Sequence, residues 1–126
     1  MSKKNRIRNG KLLPMSQKKN DVSTQTDQAE KKMDPLPFKE NIAESHDKIK
    51  SILSSWKRVE IKTDETDYIH AVVSSRIFKF KDDVEFLFDD QTNLVHFRSA
   101  SRSGMYDFGV NRKRMKEVSD QYREEK

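Results

Sequence analysis

The stretch from Arg98 to Arg112, RSASRSGMYDFGVNR, holds the densest set of chemistry-bearing side chains in this 126-residue chain. Arg98, Arg102 and Arg112 carry planar guanidinium groups that match the oxygens of a carboxylate or phosphate two at a time. Ser99 and Ser101 add hydroxyl donors, and Asp107 adds a carboxylate. Alternate residues of a strand share a face. His96, Arg98, Ala100 and Arg102 therefore point one way, and Val95, Phe97, Ser99 and Ser101 the other. Arg98 and Arg102 then stand roughly 13 Å apart along a strand that rises ~3.3 Å per residue, and they meet on one small anion only if the strand bends between them. Gly104 is placed to allow such a bend. Asp107 and Asn111 are good helix-capping types, and a helix starting near Val110 offers free backbone N–H groups to an anion.

Two readings of this stretch stand side by side. In the first, Arg98, Arg102 and Arg112 converge on a carboxylate or phosphate, with Ser99 or Ser101 and the helix N-terminus as further donors. In the second, Asp107 pairs with Arg98 or Arg102, Asn111 caps the helix or bridges backbone, and the serines satisfy the loop. Gly104, Gly109 and Asn111 shape the turn and the cap in either case. An enzymatic version needs Asp107 as a base and the arginines as an oxyanion or phosphate clamp. No residue is assigned as catalytic.

Other candidate chemistry is thin. His46, His70 and His96 come from a helix and two separate strands, without H-x-x-x-H or H-E-x-x-H spacing, so no metal site is expected. Asp82-Asp83 and Asp89-Asp90 cluster acid, but no Gly or terminal Glu completes a calcium loop. Ser99 and Ser101 lack a nucleophile-elbow context, and Ser103-Gly104 is not a phosphate loop. The chain has no cysteine, which excludes a disulfide, a thiol nucleophile and a thiolate metal site. No cofactor is expected.

The elements that must position these residues are legible in part. Ile42, Ile49, Ile52, Leu53 and Trp56 recur at helical spacing and predict a helix over Glu40–Trp56. Alternation predicts strands at Arg58–Lys62, with Val59 and Ile61 on one face, and at Tyr68–Ser74, with Ile69, Ala71 and Val73 sharing a face. The segment Ser75–Lys81 continues with Ile77, Phe78 and Phe80 and contains a bend. Asp83–Asp89 places Val84, Phe86 and Phe88 together, and Leu94–Arg102 returns as its partner. A last helix over Val110–Arg123 turns Asn111, Met115, Val118 and Tyr122 inward. Short connections imply antiparallel pairing. The expected fold is α+β in two layers: about four antiparallel strands with two helices on one face, in the order helix, four strands, helix. Phe78, Phe80, Phe86, Phe88 and Phe97 resemble base-stacking platforms in composition, but a core this small needs them inside.

All seven Phe, all three Tyr and the one Trp lie at or after Phe38. Residues 1–20 carry Lys3, Lys4, Arg6, Arg8, Lys11, Lys18 and Lys19 and no acid, whereas from Pro35 onward seventeen basic residues balance seventeen acidic ones. The net charge of +5 therefore resides in the N-terminus. Residues 1–19 are expected to be a flexible, disordered basic tail, and residues 20–126 one domain with 20–39 as an extended arm. Such a tail attracts polyanions, nucleic acid included, weakly and in a salt-sensitive way. No apolar run reaches the ~18–20 residues that span a bilayer, and no signal segment is evident, so a cytoplasmic protein is expected.

The run RSASRSGMYDFGVNRKRM resembles the signature of the domain of unknown function 1499 family, small bacterial and plastid proteins. The resemblance reaches back through YIHAVVSSRIFKFKDDVEFLFDD. It extends to Asn20-Asp21-Val22-Ser23-Thr24, which is similar to an Asn-Cys-Val-Ser-Ser/Thr element, so about 105 residues are covered. The matching positions are Arg98, Ser99, Ser101, Arg102, Gly104, Asp107, Gly109, Asn111 and Arg112. Asp21 departs from the pattern, since many relatives have cysteine there. The resemblance implies no activity. Read from the residues, the expected function is a non-enzymatic module that binds an anionic small molecule or an acidic partner group at the Arg98–Arg112 loop.

Overall fold

A computed structural model describes residues 5–76 and 80–124. Its centre is the antiparallel meander expected from the alternating segments: β5 (Val59–Glu65), β6 (Tyr68–Ser74), β7 (Lys81–Asp89) and β8 (Leu94–Ser101). β6 and β7 pair directly, from Tyr68 opposite Leu87 to Ser74 opposite Lys81. Of the bent continuation expected over Ser75–Lys81, Ser75, Arg76 and Phe80 lie in no strand, Lys81 begins β7, and Ile77 and Phe78 lie outside the described residues.

Four shorter strands precede the first helix: β1 (Ile7–Arg8), β2 (Lys11–Leu12), β3 (Asp21–Ser23) and β4 (Leu36–Pro37). β3 and β4 both pair antiparallel with β8, on the edge that β7 leaves open. The main sheet thus has six strands, and β1 and β2 form a separate two-stranded hairpin. This corrects both the count of four and the order helix, four strands, helix. Strands of two or three residues are too short to show alternation, and β3 and β4 exist because a distant strand offers its unpaired groups.

Helix α1 spans Ile42–Ser55 and is capped by Asn41, whose side chain accepts the Glu44 N–H at 2.9 Å. Its stripe Ile49, Ile52 and Leu53 is buried. Helix α2 spans Val110–Arg123 and buries Asn111, Met115, Val118 and Tyr122. Both stripes pack on the face formed by Ile69, Ala71, Val84, Phe86, Phe88, Val95 and Phe97, which is the main core.

The opposite face of the sheet is not left to solvent. Leu12 is buried there against Tyr68 and Leu87, with Ile7 alongside. Arg6 and Met15 are buried as well. From residue 5, the stretch read as a flexible tail lies on the sheet, and the backbone N–H of Leu12 donates to Gln25 Oε1 at 2.9 Å.

Candidate functional site

Asn111 is the hub of the loop that leads into α2. It is fully buried, and its amide group meets five partners. Nδ2 donates to the Asn20 carbonyl at 3.0 Å, Ser101 Oγ at 3.0 Å and Asp107 Oδ2 at 2.8 Å. Oδ1 accepts from Ser99 Oγ at 2.6 Å and Arg114 Nη1 at 2.8 Å. Asp107 also accepts the backbone N–H groups of Gly109 and Asn111, so it caps α2, and among the described residues it pairs with no arginine. Arg114 reaches on to Asp82 at 2.7 Å. The helix N-terminus is thereby bolted to β8 and to the segment just before β3.

Between Asp107 and α2 the backbone is left-handed at Phe108 (φ 56°) and at Gly109 (φ 80°). Glycine adopts this conformation freely, whereas a side chain there costs about 1–2 kcal/mol. Phe108 bears that cost while 82 % exposed, with its ring stacked on Tyr106 at 4.6 Å between centroids.

A second polar network lies on the opposite sheet face, beneath the N-terminal hairpin. Glu85 is fully buried on β7. It accepts from Arg6 Nε at 2.8 Å, from Arg98 Nη1 at 2.8 Å and from the Tyr68 hydroxyl. Two residues away on the same face, Asp83 accepts both Arg102 Nε (3.1 Å) and Nη2 (3.0 Å) and bonds His70 Nε2 at 2.8 Å. Burial raises the Asp83 carboxyl, but hydrogen bonds from His70 and Arg102 and the charges of Arg6 and Arg102 outweigh it, holding the group well below its ordinary range. Glu85 is also lowered, its burial outweighed by hydrogen bonds from Arg6 and Tyr68 and the charges of Arg6 and Arg98. Burial, followed by the Glu85 charge, raises Tyr68 and keeps its phenol protonated.

These carboxyls make stability depend on pH with a definite sign. Ordinary values are 3.8 for Asp and 4.5 for Glu, and both folded-state values lie lower. The stabilisation is complete above the ordinary values and is lost as pH falls through them towards the folded ones. Urea midpoints measured across the acid range are expected to fall steadily below about pH 4.5. In Asp83→Asn the acid slope becomes shallower by up to about 1.4 kcal/mol per pH unit. An unchanged slope would show that Asp83 is not held ionised by its partners.

The sequence-predicted site residues do not converge. Arg98 and Arg102 occupy the hairpin-covered face and are paired with Glu85 and Asp83. Ser99 and Ser101 face α2 and Asn111, as the alternation requires. Arg112 is on the outside of α2, donates to the Glu30 carbonyl at 2.7 Å, and borders a cleft of about 330 Å³ with Lys18 and Lys19. Asp21, at the departing position of the family pattern, is buried in an ion pair with Lys31 and accepts the Ser16 N–H at 2.9 Å.

What the loop does border is a groove of about 550 Å³ between residues 101–110 and residues 73–76 and 80–82. Val73, Phe80, Tyr106, Phe108 and Val110 give it apolar walls, while Arg58, Arg76, Lys81 and Arg114 bring positive charge. Its two carboxylates, Asp82 and Asp107, are engaged by Arg114 and by the start of α2. Among the described residues, no carboxylate pairs with Arg58, Arg76 or Lys81. Ser101 and Asp107 are the two predicted ligand-binding residues in its wall, and Gly104, predicted to shape the turn, lines it as well.

Sequence reading missed Arg6, Tyr68, His70, Glu85 and Arg114. The alternation of DVEFLFD did carry a signal for Asp83 and Glu85, which fall on one face opposite Val84, Phe86 and Phe88. Nothing local marked that face as covered. The histidines all have polar partners: His46 with Asp64, His70 with Asp83 and His96 with Thr24. Among the described residues, no group of three or more His, Asp or Glu is arranged to hold a metal ion.

The chain matches the model of the family described as protein of unknown function (DUF1499) over residues 11–121, and it belongs to that family. The match includes both networks, except for Arg6, and the groove. No curated protein and no solved structure matches the chain.

Proposed function

We propose that this DUF1499 domain is a non-enzymatic binding module for an anionic small molecule, or an acidic partner group, that carries an apolar body. The supporting observation is the groove beside the 101–110 loop, where aromatic walls meet Arg58, Arg76 and Lys81, cations without a described carboxylate partner. Apolar enclosure with a few convergent charged groups is the usual make-up of a small-molecule site. Ser101 contributes a hydroxyl, and the Asn111 hub keeps the loop rigid, so little ordering is needed on binding. Arg98 and Arg102 act from behind, by holding β8 in place.

The alternative of Asp107 as a catalytic base finds both carboxylate oxygens already accepting N–H groups. The alternative of polyanion binding through the tail loses Arg6 to Glu85. Both are less favoured than the groove.

Native mass spectrometry and thermal-shift measurements with aryl and acyl carboxylates and phosphates test the reading. A ligand should raise the melting temperature, and Arg58→Ala combined with Lys81→Ala should weaken its binding at least about tenfold, since each charged hydrogen bond contributes about 1.5–3 kcal/mol. A ligand response that survives this double change places the site elsewhere.

A further inference from the structure

Among the described residues, five large hydrophobic side chains stand exposed, and all are at the groove end of the molecule. They are Phe80 (59 %), Met105 (68 %), Tyr106 (59 %), Phe108 (82 %) and Val110 (49 %). Such a cluster marks an interaction surface when it has a polar rim, and this rim is basic. Arg58, Arg76 and Lys81 stand on one side of it. On the other, Lys19 is joined to the loop by backbone hydrogen bonds with Met105 and Asp107, next to Lys18.

We infer that this end docks on the surface of a bilayer containing anionic lipid. Met105, Tyr106 and Phe108 enter the boundary between headgroups and acyl chains, and the rim cations meet the phosphates. The inference deepens the groove reading, on which it rests, by taking a lipid headgroup as the anion. Three observations favour a membrane over other occupants. A small molecule in the groove leaves Met105 uncovered, because Met105 is not part of its lining. A second copy on the same patch would set basic rim against basic rim. Phe108 is held in a left-handed conformation that glycine adopts with less strain, and it is 82 % exposed. Attachment of this kind combines shallow apolar insertion with attraction to anionic headgroups. It requires no spanning segment, and no helix among the described residues is long and apolar enough to cross a membrane.

Sedimentation of the full chain with phosphatidylcholine vesicles, with and without phosphatidylglycerol, tests the inference. The protein should pellet with the anionic vesicles alone and be released as salt is raised. Phe108→Gly, which eases the backbone and should leave the circular dichroism unchanged, should lower vesicle affinity at least about tenfold by removing one inserted ring. Arg58→Glu with Lys81→Glu should abolish the preference for anionic lipid. Failure to pellet at low salt overturns the inference, as does pelleting that Phe108→Gly leaves intact. So does a dimer, seen by light scattering, that Phe108→Gly dissolves while vesicles bind nothing. Soluble octyl phosphate in the same thermal-shift assay separates the two proposals. A shift that Lys81→Ala removes, without vesicle binding, leaves the groove reading standing and the membrane reading refuted. Neither response refutes both.

Discussion

Replacing Glu85 by alanine is expected to destabilise the domain by about 3–5 kcal/mol, a large part of the about 5–15 kcal/mol that holds a domain folded. Glu85 is fully buried and serves Arg6, Arg98 and Tyr68 at once. Burying a salt bridge gains little over an apolar pair, because desolvation offsets the attraction. Removing one partner is different, since it leaves the other charges in a low-dielectric site with nothing to neutralise them. With urea slopes of about 1–3 kcal/mol per molar for small proteins, the midpoint should fall by 1 M or more, roughly. Arg6→Ala should cost less, because Glu85 keeps Arg98 and Tyr68. The double variant should be more stable than the two losses added together, since the second change removes a group that the first left unpaired. Strict additivity in that cycle would mean that Arg6 and Glu85 do not interact in solution and that the hairpin does not hold this face.

Asn111→Leu should have an effect of similar size, about 3–5 kcal/mol, for another reason. Leucine fills the volume but removes five side-chain hydrogen bonds at once. The Asn20 carbonyl keeps only the Ser101 N–H, Asp107 Oδ2 only the backbone N–H of residue 111 and Ser99 Oγ only Arg114. Each lost bond costs about 0.5–1.5 kcal/mol. Asn111→Asp separates polarity from size. It can still accept from Ser99 and Arg114, but it places a second carboxylate against Asp107, 2.8 Å from where Nδ2 now donates. Its deficit should therefore shrink on acidification, when one of the two carboxyls takes up a proton, whereas that of Asn111→Leu should not. Amide hydrogen exchange should accelerate first at Gly109 and Asn111 in both variants, because their N–H groups rest on Asp107. Unchanged protection there would remove Asn111 as the element that fixes the loop.

The two hubs differ in how visible they were before the structure. Asn111 falls in the inward stripe of α2 with Met115, Val118 and Tyr122, so helical periodicity places it in the interior next to a loop. A buried amide at a helix start implies hydrogen bonding whatever the fold. Glu85 sits equally regularly on β7, but alternation says only that it faces away from Val84, Phe86 and Phe88. Whether that face meets water or protein depends on Arg6, 79 residues earlier in the chain. The site followed the same division. Alternation correctly sent Arg98 and Arg102 to one face and Ser99 and Ser101 to the other. It could not show that Asp83 and Glu85 lie across the sheet to claim both arginines, which is why the expected three-arginine clamp does not form. The basic groove is built from Arg58, Arg76 and Lys81, which no local pattern ties to the loop.

The sequence by itself determined the four-strand meander, the two amphipathic helices, the family and the inward position of Asn111. Each of these rests on periodicity or on a contiguous motif, and backbone geometry translates those directly into faces. Tertiary structure alone decided that β3 and β4 complete the sheet and that the N-terminal hairpin covers its second face. It also decided that Arg98 and Arg102 are held by Glu85 and Asp83, and that aromatic and cationic side chains gather at the 101–110 loop. Those outcomes depend on which distant group reaches an unpaired charge or an open sheet edge first. Hydrogen-bond and charge satisfaction is settled across the whole fold, not along the chain.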